Sequence, residues 1–199
     1  MFTGSIALAA NNATESFIQP KISEMNYVLI TESENISIPI NDSIRLWAHE
    51  KFNPQAKVVI LVTGWTTDIN ETNSAADVLY DAYKTRNVNF VLIDTARYVD
   101  TLYAWSAFNT QELGEGLGKG IAELVSFVPL ENIHLMGHSL GAHISAAAGR
   151  TFQMETNKLL PRITGFDPAK PCFREGESLQ GLARGDADFV GNNIVLFSY

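Results

Sequence analysis

The chain alternates short apolar runs with stretches whose apolar residues recur at helical spacing. Lys57-Val-Val-Ile-Leu-Val-Thr63 is a continuous, largely β-branched run bounded by Pro54 and Gly64. A run of this length and composition makes a strand buried on both faces of a sheet. Asn89-Phe-Val-Leu-Ile-Asp94, Asn132-Ile-His-Leu-Met-Gly137 and Arg162-Ile-Thr-Gly-Phe-Asp167 read the same way. Residues 27–31 predict another strand, and residues 36–40 a short one inside a polar loop over 32–43. Ala75, Val78, Leu79, Ala82 and Tyr83 share one face of a helix over 74–86, with Ser74 as N-cap. Residues 112–127 are helical by pattern, although Gly114, Gly116, Gly118 and Gly120 lower the propensity. Residues 140–152 form a helix of small side chains. The alternation predicts an α/β fold, a mostly parallel sheet with helices on both faces.

Length and composition fit that picture. The 199 residues, 46% apolar and 18% charged, suit one globular domain. Residues 1–22 read as a polar tail, 23–190 as the domain and 191–199 as a divergent tail. Fourteen Lys and Arg against 22 Asp and Glu leave a net charge of −8. That balance argues against nucleic acid or an anionic membrane surface as the main partner. No apolar run reaches the ~18–20 residues of a membrane span. Cys172 is the single cysteine, and His49, His134, His138 and His143 are the histidines. They form no zinc-ligand pattern, so no metal and no cofactor is expected. Asn12, Asn35, Asn41 and Asn70 head N-glycosylation sequons. They point to the secretory route and a secreted protein, although residues 1–10 lack the basic start of a signal peptide.

One motif carries chemistry. Gly137-His138-Ser139-Leu140-Gly141 is G-x-S-x-G, placed where a predicted strand turns into a predicted helix. Side chains at 137 and 141 would collide in so tight a turn, and the serine is held in a strained conformation. The strain presents Ser139 Oγ at the carboxyl end of the sheet as a nucleophile. The helix N-terminus beneath it stabilises a developing oxyanion. Asp167 ends the next strand and is the candidate acid of a triad. The Asp167-Pro168 step is expected to hold residue 167 extended and end the strand. Asp94 ends an earlier strand similarly but precedes the serine. An oxyanion hole needs two N–H donors. Leu140 N–H follows the nucleophile, and Trp65 N–H follows the Gly64 turn after the 57–63 strand.

These residues together resemble the pancreatic-lipase-like family, in particular its insect lipase and phospholipase A1-like branch. The matching stretches are Val62-Thr-Gly-Trp65, Gly137-His-Ser-Leu-Gly-Ala-His143 on to Arg150, Ile163-Thr-Gly-Phe-Asp-Pro-Ala169 with Pro171-Cys-Phe173, and Gly185-Asp-Ala-Asp-Phe-Val190. The resemblance implies an α/β-hydrolase fold and a serine carboxylic ester hydrolase of lipids, of triacylglycerol lipase or phospholipase A1 type. Lipid esters at a lipid–water interface would be its substrates; oligomeric state is left open. It implies Ser139 as nucleophile, Asp167 as acid, Trp65 and Leu140 as oxyanion donors, and His143 as a structural member of the signature.

Three departures from the family pattern set further expectations. The family's catalytic histidine lies downstream of the 185–190 segment, and residues 191–199 do not continue the pattern, so the chain reads as truncated before that histidine. Its last sheet strands would then be missing, leaving an open edge beside the 163–167 strand. The partner that Cys172 has in relatives is absent. Of the calcium-ligand positions found in some members, only Asp186 matches. The alternative reading is a catalytically impaired or inactive fragment, or a lipid-binding homologue of the yolk-protein kind; such homologues typically lose the serine that is present here.

Overall fold

The computed structural model describes residues 24–64, 75–95, 103–173 and 179–193. Seven strands form one sheet: β1 (Asn26–Ile30), β2 (Asn35–Pro39), β3 (Lys57–Val62), β4 (Val88–Asp94), β5 (Ile133–His138), β6 (Arg162–Phe166) and β7 (Phe189–Asn193). Among the described residues four α-helices accompany them: α1 (Ser43–Trp47), α2 (Ala75–Tyr83), α3 (Tyr103–Leu124) and α4 (Leu140–Thr156). The sheet order is β2-β1-β4-β3-β5-β6-β7. Strands β4, β3, β5, β6 and β7 run parallel; the β1–β2 hairpin joins β4 antiparallel.

Alternation along the central strands divides the core between two faces. Val58, Ile60, Val62, Val91, Ile93, Leu135 and Ile163 meet α3 and α4 on one face. Val59, Leu61, Phe90, Leu92 and Met136 meet α2 on the other, through Leu79, Tyr80 and Tyr83. The expectation of helices on both faces therefore holds. The N-cap proposed at Ser74 lies outside the described residues.

Three elements differ from the sequence reading. Helix α3 begins at Tyr103 rather than near 112. Its first turns bury Ser106, Asn109 and Thr110, which interrupt the apolar period without leaving the core. Its glycines serve packing that outweighs their low propensity. A methyl at Gly114 would lie 2.4 Å from Ala147 Cβ, and one at Gly118 2.6 Å from the Ala148 carbonyl oxygen, so α3 and α4 meet almost backbone to backbone. The short helix α1 had too few residues to show a period. It buries Trp47 edge-on against Tyr27 and Phe52, and the indole N–H donates to the Gly120 carbonyl at 3.0 Å.

The third difference concerns the sheet edge. The 163–167 strand was expected to lie open, but β7 pairs with β6 along its whole length, Arg162 opposite Phe189 through Phe166 opposite Asn193. β7 also runs across the boundary after residue 190, with the tail expected over 191–199 supplying its last three residues. Glycine and two asparagines in Phe-Val-Gly-Asn-Asn hid the strand.

Candidate active site

The end of β5 and the start of α4 form the turn that the motif predicts. Ser139 has φ 54° and ψ −120°, a conformation costly for a residue with a side chain. Two glycines make room for it. A methyl on Gly137 would lie 2.3 Å from the Gly141 carbonyl oxygen, and one on Gly141 2.1 Å from that of Val62. The first α4 turn therefore rests directly on β3. The Leu140 amide belongs to that turn, where no upstream carbonyl of the helix is available to it.

A third glycine touches Ser139 from the side. A methyl on Gly64 would lie 2.6 Å from Ser139 Cβ and 3.1 Å from its Oγ. The chain leaving β3 thus passes in contact with the serine just before position 65. Trp65 lies outside the described residues, as do Asn12 and Asn70.

The acid candidate is tied to the same turn through the backbone. Ser139 N–H donates to the Phe166 carbonyl at 3.0 Å, and the Ser139 carbonyl accepts from Ala169 N–H at 3.3 Å. Between these anchors, Asp167 is exposed. The expectation of an extended residue before Pro168 is wrong: Asp167 has φ 43°. Aspartate tolerates that left-handed region better than most side chains, and the two anchors on either side fix it there.

His143, on the first turns of α4, is joined to the segment after Asp167 through Ala169. Its Nδ1 accepts from Leu182 N–H at 3.1 Å, so the neutral ring carries its proton on Nε2 and donates it to the Ala169 carbonyl at 2.7 Å. The ring also stacks on Phe173 at 3.7 Å between centroids. Both nitrogens are occupied by backbone. Burial pushes its pKa down, against the Ala169 bond, which favours the charged form; Arg150 lowers it further.

The other histidines occupy different positions. His138 is half-buried, its Nδ1 has no partner among the described residues, and burial lowers its pKa while the charge of Asp167 opposes the drop. His134 lies four residues earlier on β5, bonded through Nε2 to Thr164 Oγ1 at 2.8 Å. Burial first, then Arg162 and Lys57, hold it down to about 4. His49 accepts from Lys51 N–H. Among the described residues, no histidine bonds Ser139 Oγ.

These shifts give a pH dependence with a definite sign. Unfolded, each histidine titrates near 6.5. Folded, His134, His138 and His143 titrate lower, so the unfolded chain binds more protons below that value. Their contribution to stability is present above 6.5 and is lost as pH falls toward the folded values. The urea midpoint is expected to drop between pH 7 and 5, and to drop less in His134→Gln. An unchanged slope in that variant would contradict the burial argument.

Asp186, which sequence reasoning weighed only as a ligand position, has another role. Its Oδ1 receives Arg150 Nη1 at 3.1 Å and its Oδ2 receives Ala183 N–H at 2.8 Å, with the residue 3% exposed. No group of three or more potential metal ligands occurs among the described residues. Cys172 is a free thiol at φ 71°.

A parallel sheet with a strained serine between strand and helix, and an aspartate at the end of the next strand, defines an α/β-hydrolase. A family model described as Lipase matches residues 5–194, and the chain belongs to that family. Lipoprotein lipase of Rattus norvegicus is 32% identical over 193 residues, covering 95% of this chain and 39% of the relative. Lipoprotein lipase of Homo sapiens is 34% identical over 142 residues, covering 70% and 29%. Vitellogenin-3 of Drosophila melanogaster is 35% identical over 124 residues, covering 62% and 29%. The chain thus spans well under half the length of these relatives. Among solved structures, the carboxylesterase Cest-2923 of Lactobacillus plantarum aligns with a TM-score of 0.38 at 16% identity, over 72% of this chain and 55% of that one.

Proposed function

We propose that this site belongs to a serine carboxylic ester hydrolase of lipids, of triacylglycerol lipase or phospholipase A1 type. The observation that carries the reading is Ser139 at φ 54° with Gly64 against it, in a turn that Gly137 and Gly141 make room for. A serine is a strained choice for a mere turn, and the bare backbone of Gly64 beside it leaves its hydroxyl approachable. Ser139 Oγ attacks the acyl carbonyl. The oxyanion forms against Leu140 N–H and, following the contact of Gly64, against Trp65 N–H. The alcohol leaves, and water then releases the fatty acid from the acyl-enzyme. Asp167 orients the histidine that moves the protons. His143 is unsuited to that task because both its nitrogens are engaged by backbone.

The substrate side of the proposal rests on the family. Lipid esters presented at a lipid–water interface follow from membership in it, and no helix among the described residues is long and apolar enough to cross a membrane. Secretion is proposed with it, since Asn35 and Asn41 are both exposed, as glycan acceptors must be.

A second reading, a lipid-binding homologue without catalysis, draws support from the Vitellogenin-3 match and from the lack of a described histidine on Ser139 Oγ. A fluorophosphonate probe separates the two. Labelling of the protein and none of Ser139→Ala is the expected result. A cooperatively folded protein that stays unlabelled, or that labels equally in Ser139→Ala, would overturn the ester hydrolase reading. Retention of a fluorescent lipid by an unlabelled protein would favour the second.

A further inference from the structure

The end of the sheet opposite the serine carries an arrangement that ester hydrolysis does not use. Where β3, β5 and β6 begin, Lys57, Arg86, Glu131, His134 and Arg162 line a groove of about 590 Å³. Its floor is formed by the buried Val59 and Ile133. Three cations facing one concavity reverse the sign of an otherwise acidic chain. Among the described residues no ion pair joins Lys57, Arg86 or Arg162 to a carboxylate, Glu131 being the one acid in the lining.

Each guanidinium group lies over an aromatic ring. Arg162 Cζ lies 5.0 Å from the Phe189 ring centroid and Arg86 Cζ 5.6 Å from that of Tyr83. Arg162 also donates Nε–H to Thr164 Oγ1 at 3.3 Å, the hydroxyl that meets His134 Nε2. Both residues are exposed, so their remaining N–H donors are free to turn to a tetrahedral oxyanion, which planar guanidinium forks suit.

We propose that this groove binds a soluble phosphate-class oxyanion between Lys57, Arg86 and Arg162, with His134 as its proton-accepting wall. A soluble source fits better than a lipid headgroup for a directional reason. The groove opens at the amino ends of the parallel strands and Ser139 stands at the carboxyl end of β5. Six residues of β5 separate the two by roughly 20 Å at ~3.3 Å per residue. Docking the groove on a membrane would turn the serine away from it. The groups facing His134 are Lys57 from β3, Arg86 and Tyr83 beyond and on α2, Glu131 before β5 and Arg162 on β6. An oxyanion offsets the charges of Arg162 and Lys57 on His134, so His134 takes up a proton on binding and affinity rises as pH falls.

Imidazole NMR titrations test this with inorganic pyrophosphate, which keeps at least two negative charges throughout, against sodium chloride at equal ionic strength. The His134 midpoint is expected to rise by about one pH unit or more in pyrophosphate. Arg162→Gln and Lys57→Gln are expected to remove most of that rise while the His143 resonances stay in place, which reports an intact fold. No rise beyond the chloride control, or an equal rise in both variants, overturns the proposal. Sedimentation with phosphatidic acid vesicles that Arg162→Gln abolishes, without any response to pyrophosphate, overturns the soluble source.

Discussion

Gly141→Ala is expected to destabilise the protein by about 3 kcal/mol or more, at the upper end of what overpacking costs. The added methyl would lie 2.1 Å from the Val62 carbonyl oxygen and 2.6 Å from that of Thr63. Both are backbone atoms at the end of β3, a strand hydrogen-bonded on each side to β4 and β5. Neither can rotate aside, so relief requires α4 to withdraw from the sheet. That movement would carry the Leu140 amide and Ser139 out of position together. Urea denaturation should show the loss, and probe labelling should fall at denaturant-free temperatures where the variant is still folded. Gly185→Ala is the matched control. Gly185 has φ 95° with nothing within 4 Å of a methyl, so its cost is conformational strain alone, about 1 kcal/mol. Equal midpoints for the two variants would mean that crowding at the turn is not what the glycine relieves.

Arg150→Met is expected to cost about 3–5 kcal/mol, the range for removing one partner of a buried ion pair. Asp186 would keep its charge in a site 3% exposed, with only the Ala183 N–H directed at it. The pair matters because it fastens the segment leading into β7 onto α4. A methyl at Gly149 would lie 2.2 Å from the Asp186 carbonyl oxygen, so helix and loop are in backbone contact there. The double variant Arg150→Met with Asp186→Asn removes the stranded charge. It should melt above Arg150→Met alone. A double variant no more stable than the single one would assign the loss to side-chain packing of Arg150 instead.

The parts of this fold that could be read from the sequence are those with one dominant local cause. β3, β4, β5 and β6 are continuous apolar runs, and burial on both faces leaves little else for such runs to form. The serine turn was legible because its glycines have a steric purpose visible in the spacing. Elements set by distant partners were not. The first turns of α3 bury polar side chains, α1 is held by Trp47 against Tyr27 and Gly120, and β7 is a glycine- and asparagine-containing strand that β6 templates. At the site, Ser139 and Asp167 could be nominated from their strand-end positions. The left-handed backbone at Asp167 could not, since a following proline ordinarily favours extended residues and only the Phe166 and Ala169 bonds to Ser139 override it. The double bonding of His143 depends on Leu182, far along the chain, and no local pattern encodes it.

The strand order has a consequence for how the molecule assembles. β1 and β2 can pair with each other as soon as they leave the ribosome, since a short loop joins them. Their place in the sheet is beside β4, synthesised some sixty residues later by the rise of sequence position from Ile30 to Phe90. β3 likewise waits for β4 on one side and β5 on the other. Contacts of such separation form slowly, because each closes a long loop before it gains anything. The serine turn needs β3, β5 and the first turn of α4 together, and its clamp to Phe166 needs β6 as well. Reactivity at residue 139 therefore reports on the last stages of folding, and a nascent chain lacking β6 carries Ser139 without its clamp to Phe166.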